Sequence, residues 1–178
     1  MLFVDRGDEV ALRHALAAKP KLLLIETPSN PLLRVVDIAA ICKAAHAAGA
    51  LTVCDNTFLS PALQQPLSLG ADLVVHSCTK YLNGHSDVVA GAVIAKDPEL
   101  AVELAWWANN IGVTGAAFDS YLLLRGLRTL SPRMAQQQRN ADDIVRYLQQ
   151  QPLVKKLYHP SLPQHPGHEI ACRQQSGF

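Results

Sequence analysis

Two hydrophobic periods alternate along this chain. Residues 21–26 (KLLLIE), 51–54 and 73–77 are short apolar runs with little polar alternation, the pattern of strands buried in a parallel sheet. Segments of helical period lie between them. Residues 5–20 predict a first helix, with Asp8 as N-cap, Leu12 and Leu16 on one face and Pro20 as the stop. Asp37 opens a second, whose Ile38, Ile41, Cys42 and Ala45 follow i, i+3, i+4, i+7 spacing before Gly49 closes it. A short helical segment follows Pro61, and residues 88–95 predict a further strand. Asp97-Pro98-Glu99 starts a helix toward Trp107, with Pro at its first position. Residues 114–130 predict a helix of mostly apolar surface. Ser131-Pro132 starts a long one to about Gln150, with Ala141, Ile144, Val145 and Leu148 on one face. Residues 154–158 predict the first strand of a second unit, and the Pro- and His-rich residues 159–167 a connection.

The order β-α-β-α-β with short loops predicts an α/β fold: a parallel sheet with right-handed crossovers. Residues 1–150, including the long connecting helix, are read as one large domain, and 151–178 as the start of a smaller one. A chain of 178 residues can bury a core of ordinary size. Hydrophobic residues make up 49% and charged residues 17%, which favours extensive burial, as in an oligomer. A net charge of +1 gives no reason to expect nucleic acid or an anionic membrane surface as partner. The apolar runs are too short to span a bilayer, and Met1 to Asp5 lacks the pattern of a signal peptide. Cys42, Cys54, Cys78 and Cys172 form no paired motif and read as reduced thiols of a cytoplasmic protein.

In a parallel sheet the C-terminal strand ends share one edge, and open α/β sheets bind ligands there. Here that edge receives Asn30, Asp55, Ser77, Thr79 and Lys80. An amine beside two hydroxyls suits a phosphorylated aldehyde: nitrogen attacks carbon while the hydroxyls donate to phosphate oxygens. Asp55 follows the apolar Leu51-Thr52-Val53-Cys54, and burying a carboxylate is costly without a donor. A pyridinium N–H would be such a donor, and the pair would keep the ring an electron sink. Each residue also has an ordinary alternative. Asp55 could cap a helix, Asn30 could close an Asx-turn, Ser77 and Thr79 could bond a strand end, and Lys80 could be a solvated amine. His85 is expected to hold the loop after Lys80, and Cys78 to point away from the site. One of Trp106 and Trp107 is expected in the core and the other at an interface. His159, His165, His168 and Cys172 are too irregularly spaced for a zinc site.

Glu26-Thr-Pro-Ser-Asn-Pro31, Asp55-Asn-Thr57 and the run from Ser77-Cys-Thr-Lys80 to Gly84-His-Ser-Asp87 together resemble the Cys/Met-metabolism family of pyridoxal-phosphate enzymes. The likeness runs in order along essentially the whole chain, and Ala105–Thr114, Arg125–Leu130 and Tyr158–Leu162 extend it. It implies the large domain of the type I, aminotransferase-like pyridoxal-phosphate fold, truncated at both ends. It further implies a Schiff base of pyridoxal 5'-phosphate on Lys80, Asp55 on the pyridine nitrogen, and Ser77 and Thr79 on the phosphate. Asn30 would lie near the cofactor O3′ and the substrate carboxylate. The implied reaction is a γ-replacement in methionine biosynthesis, with cysteine displacing succinate from O-succinylhomoserine to give cystathionine. A cystathionine lyase, an O-acylhomoserine sulfhydrylase, or a non-catalytic segment that only associates with full-length subunits are the alternatives. From another class, a nucleotide-binding domain would place Lys80 on a phosphate. The family is tetrameric, with sites shared across a dimer, so a homo-oligomer is implied. Family members are longer: their glycine-containing phosphate loop and ring-stacking aromatic would precede Met1, and their carboxylate-gripping arginine would follow Phe178. This chain alone is therefore expected not to turn over substrate.

Overall fold

The chain forms three consecutive parallel strands and a fourth that turns back along the third. A computed structural model describes residues 1–4 and 8–178. The strands β1 (Leu22–Glu26), β2 (Leu51–Asp55), β3 (Leu73–Ser77) and β4 (Gly91–Ala95) lie side by side in chain order. The pairs β1–β2 and β2–β3 are parallel, and β3–β4 is antiparallel. The fold is thus α/β with a mostly parallel sheet, as expected. The strand predicted at 88–95 differs: it begins at Gly91, and it runs antiparallel because no helix intervenes to carry the chain back across the sheet.

The helices are α1 (Glu9–Ala17), α2 (Ile38–Ala47), α3 (Ser60–Leu63), α4 (Pro98–Asn110), α5 (Ala117–Leu127), α6 (Leu130–Gln149) and α7 (His168–Gln174), with a 3-10 turn at Pro66–Leu69. Capping follows the sequence. The Asp8 carboxylate accepts from the Val10 and Ala11 amides, Asp37 from Ala40 and Asp97 from Glu99. The expected helix start at Asp5 lies outside the described residues.

Register decides which side chains share a face. Glu26 stands opposite Asp55 and Asp55 opposite Val75, so Glu26, Asp55, Val75 and Ser77 point to one side. Ile25, Cys54, Val74 and His76 point to the other. There Ile25 and Cys54 pack with Val36, Ile38, Cys42 and Ala71 in a core cluster beneath α2. A second cluster of Leu59, Leu63, Cys78, Leu82, Leu130 and Met134 fastens α3 and α6 to the chain following β3.

Four further expectations need correction. Residues 21–26 were expected to be buried, yet Leu22 and Leu24 are 52% and 67% exposed, because β1 is an edge strand covered on one face only. Residues 154–158 form no strand, having no neighbouring strand to pair with. Neither Trp106 nor Trp107 is in the core: they stack edge-to-face at 4.9 Å on an α4 without a buried residue. On α6, Val145 is buried but Ile144 is not, so the inward face is narrower than the apolar pattern. The chain from 160 onward packs back against the start of α2 and the end of α3. Arg173 pairs with Asp37 at 2.7 Å, and the Ser176 amide donates to the Leu63 carbonyl at 2.9 Å.

Candidate active site

A cavity of about 860 Å³ opens at the C-terminal edge of β1, β2 and β3. Asn30, Asp55, Ser77, Thr79 and Lys80 all line it, joined by Glu26, Pro28, Thr57, Phe58, Tyr81, Val88 and Gln137 among others. Three separate strand ends therefore converge on one space, as parallel strands of equal register must.

Asp55 is half-buried at the end of β2. Its Oδ1 accepts the Thr57 amide at 2.9 Å, which turns the chain sharply away from the strand. Its Oδ2 accepts no hydrogen bond from the described residues. The Thr57 hydroxyl in turn accepts the Ser77 amide at 2.7 Å, tying the ends of β2 and β3 together. Neither the Ser77 hydroxyl nor the Lys80 amine has a hydrogen-bond partner among the described residues. Thr79 differs: its hydroxyl accepts the Ala90 amide at 3.1 Å and lies 3.4 Å from the Ala90 carbonyl. One lone pair of that oxygen is thus already used to close the loop between β3 and β4. Asn30 sits exposed on the rim, its backbone N–H 3.5 Å from a Glu26 carboxylate oxygen.

Lys80 is presented by a tightly held turn. The Lys80 amide donates to the Ser77 carbonyl and the Gly84 amide to the Lys80 carbonyl. His85 Nδ1 donates to the Asn83 carbonyl at 2.7 Å, and Asn83 Nδ2 to Asp87 at 2.7 Å. Arg133 of α6 reaches over to donate to the Tyr81 and Gly126 carbonyls, each at 2.9 Å. Two glycines make this possible. At Gly84, whose φ is +73°, a Cβ would lie 2.1 Å from the Arg133 guanidinium; at Gly126 it would lie 2.3 Å from the Asn83 carbonyl oxygen. Cys78, between Ser77 and Thr79, is wholly buried in the second cluster, where burial pushes its thiol pKa up and leaves it unsuited to nucleophilic work.

Several lining residues carry no sign in the sequence of what they line. Glu26 reads there only as the first residue of a motif, although register puts its carboxylate beside that of Asp55. Gln137 comes from α6, whose polar face gives no sign of which residue meets the cavity. His76 is 94% buried behind the site. Burial pushes its pKa down, opposed by the Asp55 charge and a backbone bond at Asn56, and its Nδ1 has no hydrogen-bond partner among the described residues. Among the described residues no three His, Cys, Asp or Glu side chains are grouped to hold a metal ion.

An amine, hydroxyls and a carboxylate with one uncommitted oxygen, gathered at the edge of a mostly parallel sheet, suit the class of proteins that hold a phosphorylated aldehyde. Comparison with known proteins gives the particular family. A model of the Cys/Met metabolism PLP-dependent enzymes matches residues 1–178, and the chain belongs to that family. It is 78% identical over 178 residues to cystathionine gamma-synthase of Escherichia coli, covering 100% of this chain and 46% of that protein. It is 48% identical over 177 residues to cystathionine beta-lyase of Coxiella burnetii, covering 99% and 46%. Among solved structures, cystathionine gamma synthase of Xanthomonas oryzae, in complex with aminoacrylate and cysteine, superposes with a TM-score of 0.98 at 58% identity, over 99% of this chain and 46% of that one. Cystathionine gamma-lyase of Lactobacillus plantarum, complexed with L-serine, gives 0.96 at 45% identity, over 99% and 46%. The chain thus spans about half the length of these relatives. Pyridoxal phosphate is the cofactor of the family, and the open Asp55 oxygen, the unpartnered Ser77 hydroxyl and the unpartnered Lys80 amine fit it.

Proposed function

We propose that this chain carries the cofactor-holding part of a γ-replacement enzyme, one that joins cysteine to O-succinylhomoserine with loss of succinate in methionine metabolism. The observation that carries the reading is the convergence of Asp55, Ser77 and Lys80 on one cavity. The 78% identity to a cystathionine gamma-synthase supports the choice of reaction. Bound here, pyridoxal phosphate supplies an electron sink for charge that develops at the substrate's α-carbon.

The chain's own residues have distinct tasks. Asp55 Oδ2 would accept the pyridine N–H, with the Thr57 amide on Oδ1 fixing the carboxylate's orientation. The Ser77 hydroxyl would donate to a phosphate oxygen. Thr79 would donate to the phosphate by turning its proton from the Ala90 carbonyl, 3.4 Å away, while its oxygen keeps the Ala90 amide. Lys80 Nζ would hold the cofactor's aldehyde carbon and, as a free amine, would hold and move protons along the substrate's carbon chain. Asn30, on the rim, faces the substrate carboxylate.

Supply of PLP, O-succinylhomoserine and cysteine to a full-length protein containing this segment tests the reading. Cystathionine should form, and Lys80→Ala should abolish it. Cleavage of supplied cystathionine to an α-keto acid without synthesis would instead assign the lyase reaction, which the likeness to the Coxiella lyase favours as the second reading. Sulfide accepted in place of cysteine would assign a sulfhydrylase. The 178-residue chain by itself is expected to take up PLP and not to turn over. We assign it further to a homo-oligomer of the cytoplasm. The exposed Val102, Trp106, Trp107, Phe118 and Leu124 of α4 and α5 support the first, and unpaired cysteines the second. Among the described residues no helix is long and apolar enough to cross a membrane.

A further inference from the structure

Behind the cavity wall lies a run of side-chain amides that the proposed reaction does not use. Gln64, just past α3, is 1% exposed, yet its amide is fully engaged. Its Nε2 donates to the Thr27 carbonyl at 3.0 Å and to Asn56 Oδ1 at 2.9 Å. Its backbone carbonyl accepts from Asn56 Nδ2 at 2.8 Å. Its Oε1 accepts from Gln174 Nε2 at 3.3 Å, and Gln174 of α7 also bonds the Val36 carbonyl and the Ile38 amide, at 3.0 and 3.2 Å. Thr27 and Asn56 are as deeply buried as Gln64. Thr27 leads into Pro28 and Asn30 after β1, and Asn56 directly follows Asp55 after β2. Pro28, Asn30 and Asp55 line the cavity. One amide therefore spans the gap between the two strand ends that form one side of the site.

We infer that Gln64 is a positioning residue that sets the separation between Asp55 and the 27–31 loop, and so the width of the slot a planar ring must enter. Only a primary amide presents two N–H groups to two buried acceptors while offering an oxygen to a third partner. A carboxylate of the same size turns both N–H bonds into contacts between acceptors, and the strand ends must move apart or leave those acceptors unmatched. Gln174 extends the link to α7, so the C-terminal segment bears on the site without touching it. The inference rests on the proposed function and deepens it.

The test compares a full-length protein containing this segment with its Gln64→Glu, Gln174→Ala and, as a control, Leu16→Ala variants, the last in the remote cluster that joins α1 to α2. PLP titration followed by its visible absorbance gives uptake, and hydrogen exchange read by mass spectrometry gives local opening. Gln64→Glu should weaken PLP uptake by about tenfold or more and speed exchange in residues 27–31 and 55–58, leaving β4 as in the wild type. Gln174→Ala, which spares the bonds to Thr27 and Asn56, should weaken uptake about threefold. Leu16→Ala should lower the melting temperature and change neither readout. Wild-type uptake in Gln64→Glu, or exchange that rises equally through the whole sheet, overturns the inference alone. A wild-type chain that takes up no PLP overturns the proposed function, and the inference with it. If Gln64→Glu does not fold, Gln174→Ala decides: threefold weaker uptake supports the inference and unchanged uptake overturns it.

Discussion

Asp55 and Asp72 stand at opposite ends of the same sheet, and their carboxylates are used in opposite ways. Asp72, just before β3, is bonded three times through one oxygen. Its Oδ2 accepts the Thr52 amide at 2.7 Å, the Thr52 hydroxyl at 2.8 Å and His46 Nε2 at 2.9 Å. Burial alone would raise its pKa, but these bonds outweigh it and hold the carboxyl below the usual aspartate range. Asp55 accepts a single amide, on Oδ1, and leaves Oδ2 facing a cavity. A carboxylate bonded three times by its own chain, away from any cavity, braces the frame. One with a single internal bond, at the sheet edge where open α/β sheets bind ligands, is the one we propose for the chemistry.

That contrast can be broken by exchanging the two roles. Lys80→Ala should have the largest effect, abolishing reducible attachment of PLP while the thermal midpoint stays close to that of the wild type; attachment that survives would separate the amine from the site. Asp55→Asn should weaken PLP uptake roughly 10- to 100-fold, the loss of one charge-assisted bond, without lowering thermal stability. Asp72→Asn should do the reverse, costing about 1–2 kcal/mol in denaturant unfolding with PLP uptake unchanged. The pH profile sharpens the distinction. Because the folded Asp72 carboxyl has a lowered pKa, the unfolded chain takes up its proton first as pH falls. The stability it contributes is present above the ordinary aspartate value of about 3.9 and lost as pH drops through the lower folded value. Asp72→Asn should remove that part of the acid limb in urea melts, whereas Asp55→Asn should leave it in place. Leu153→Ala should have the smallest effect, within about 0.5 kcal/mol in the same melts, since the side chain is 94% exposed.

Much of this arrangement is legible in the sequence, for physical reasons. Apolar runs of strand length ending in Asp55 and in Ser77-Cys78-Thr79-Lys80 can deliver those side chains to one edge only if the strands are parallel, and helical spacing between the runs requires that they are. The caps at Asp8, Asp37 and Asp97 follow from local bonding alone. What escapes the sequence depends on neighbours distant along the chain. Gln64 reads as a surface glutamine until β1, β2 and α7 close around it. The clamp of Arg133 on Tyr81 joins residues 52 positions apart, and the close approach of Gly126 to Asn83 has no local signature. The reversed β4 escapes for a different reason: a strand's apolar pattern carries no direction.

The most direct measurement of whether Asp55 and Lys80 serve one ring is borohydride reduction of the PLP-treated chain, followed by peptide mapping of the wild type and Asp55→Asn at limiting PLP. The account predicts one PLP per wild-type chain, on the peptide containing Lys80, and sharply reduced labelling of that peptide in Asp55→Asn. Labelling of a different lysine, or equal labelling of Lys80 in both proteins, would contradict it.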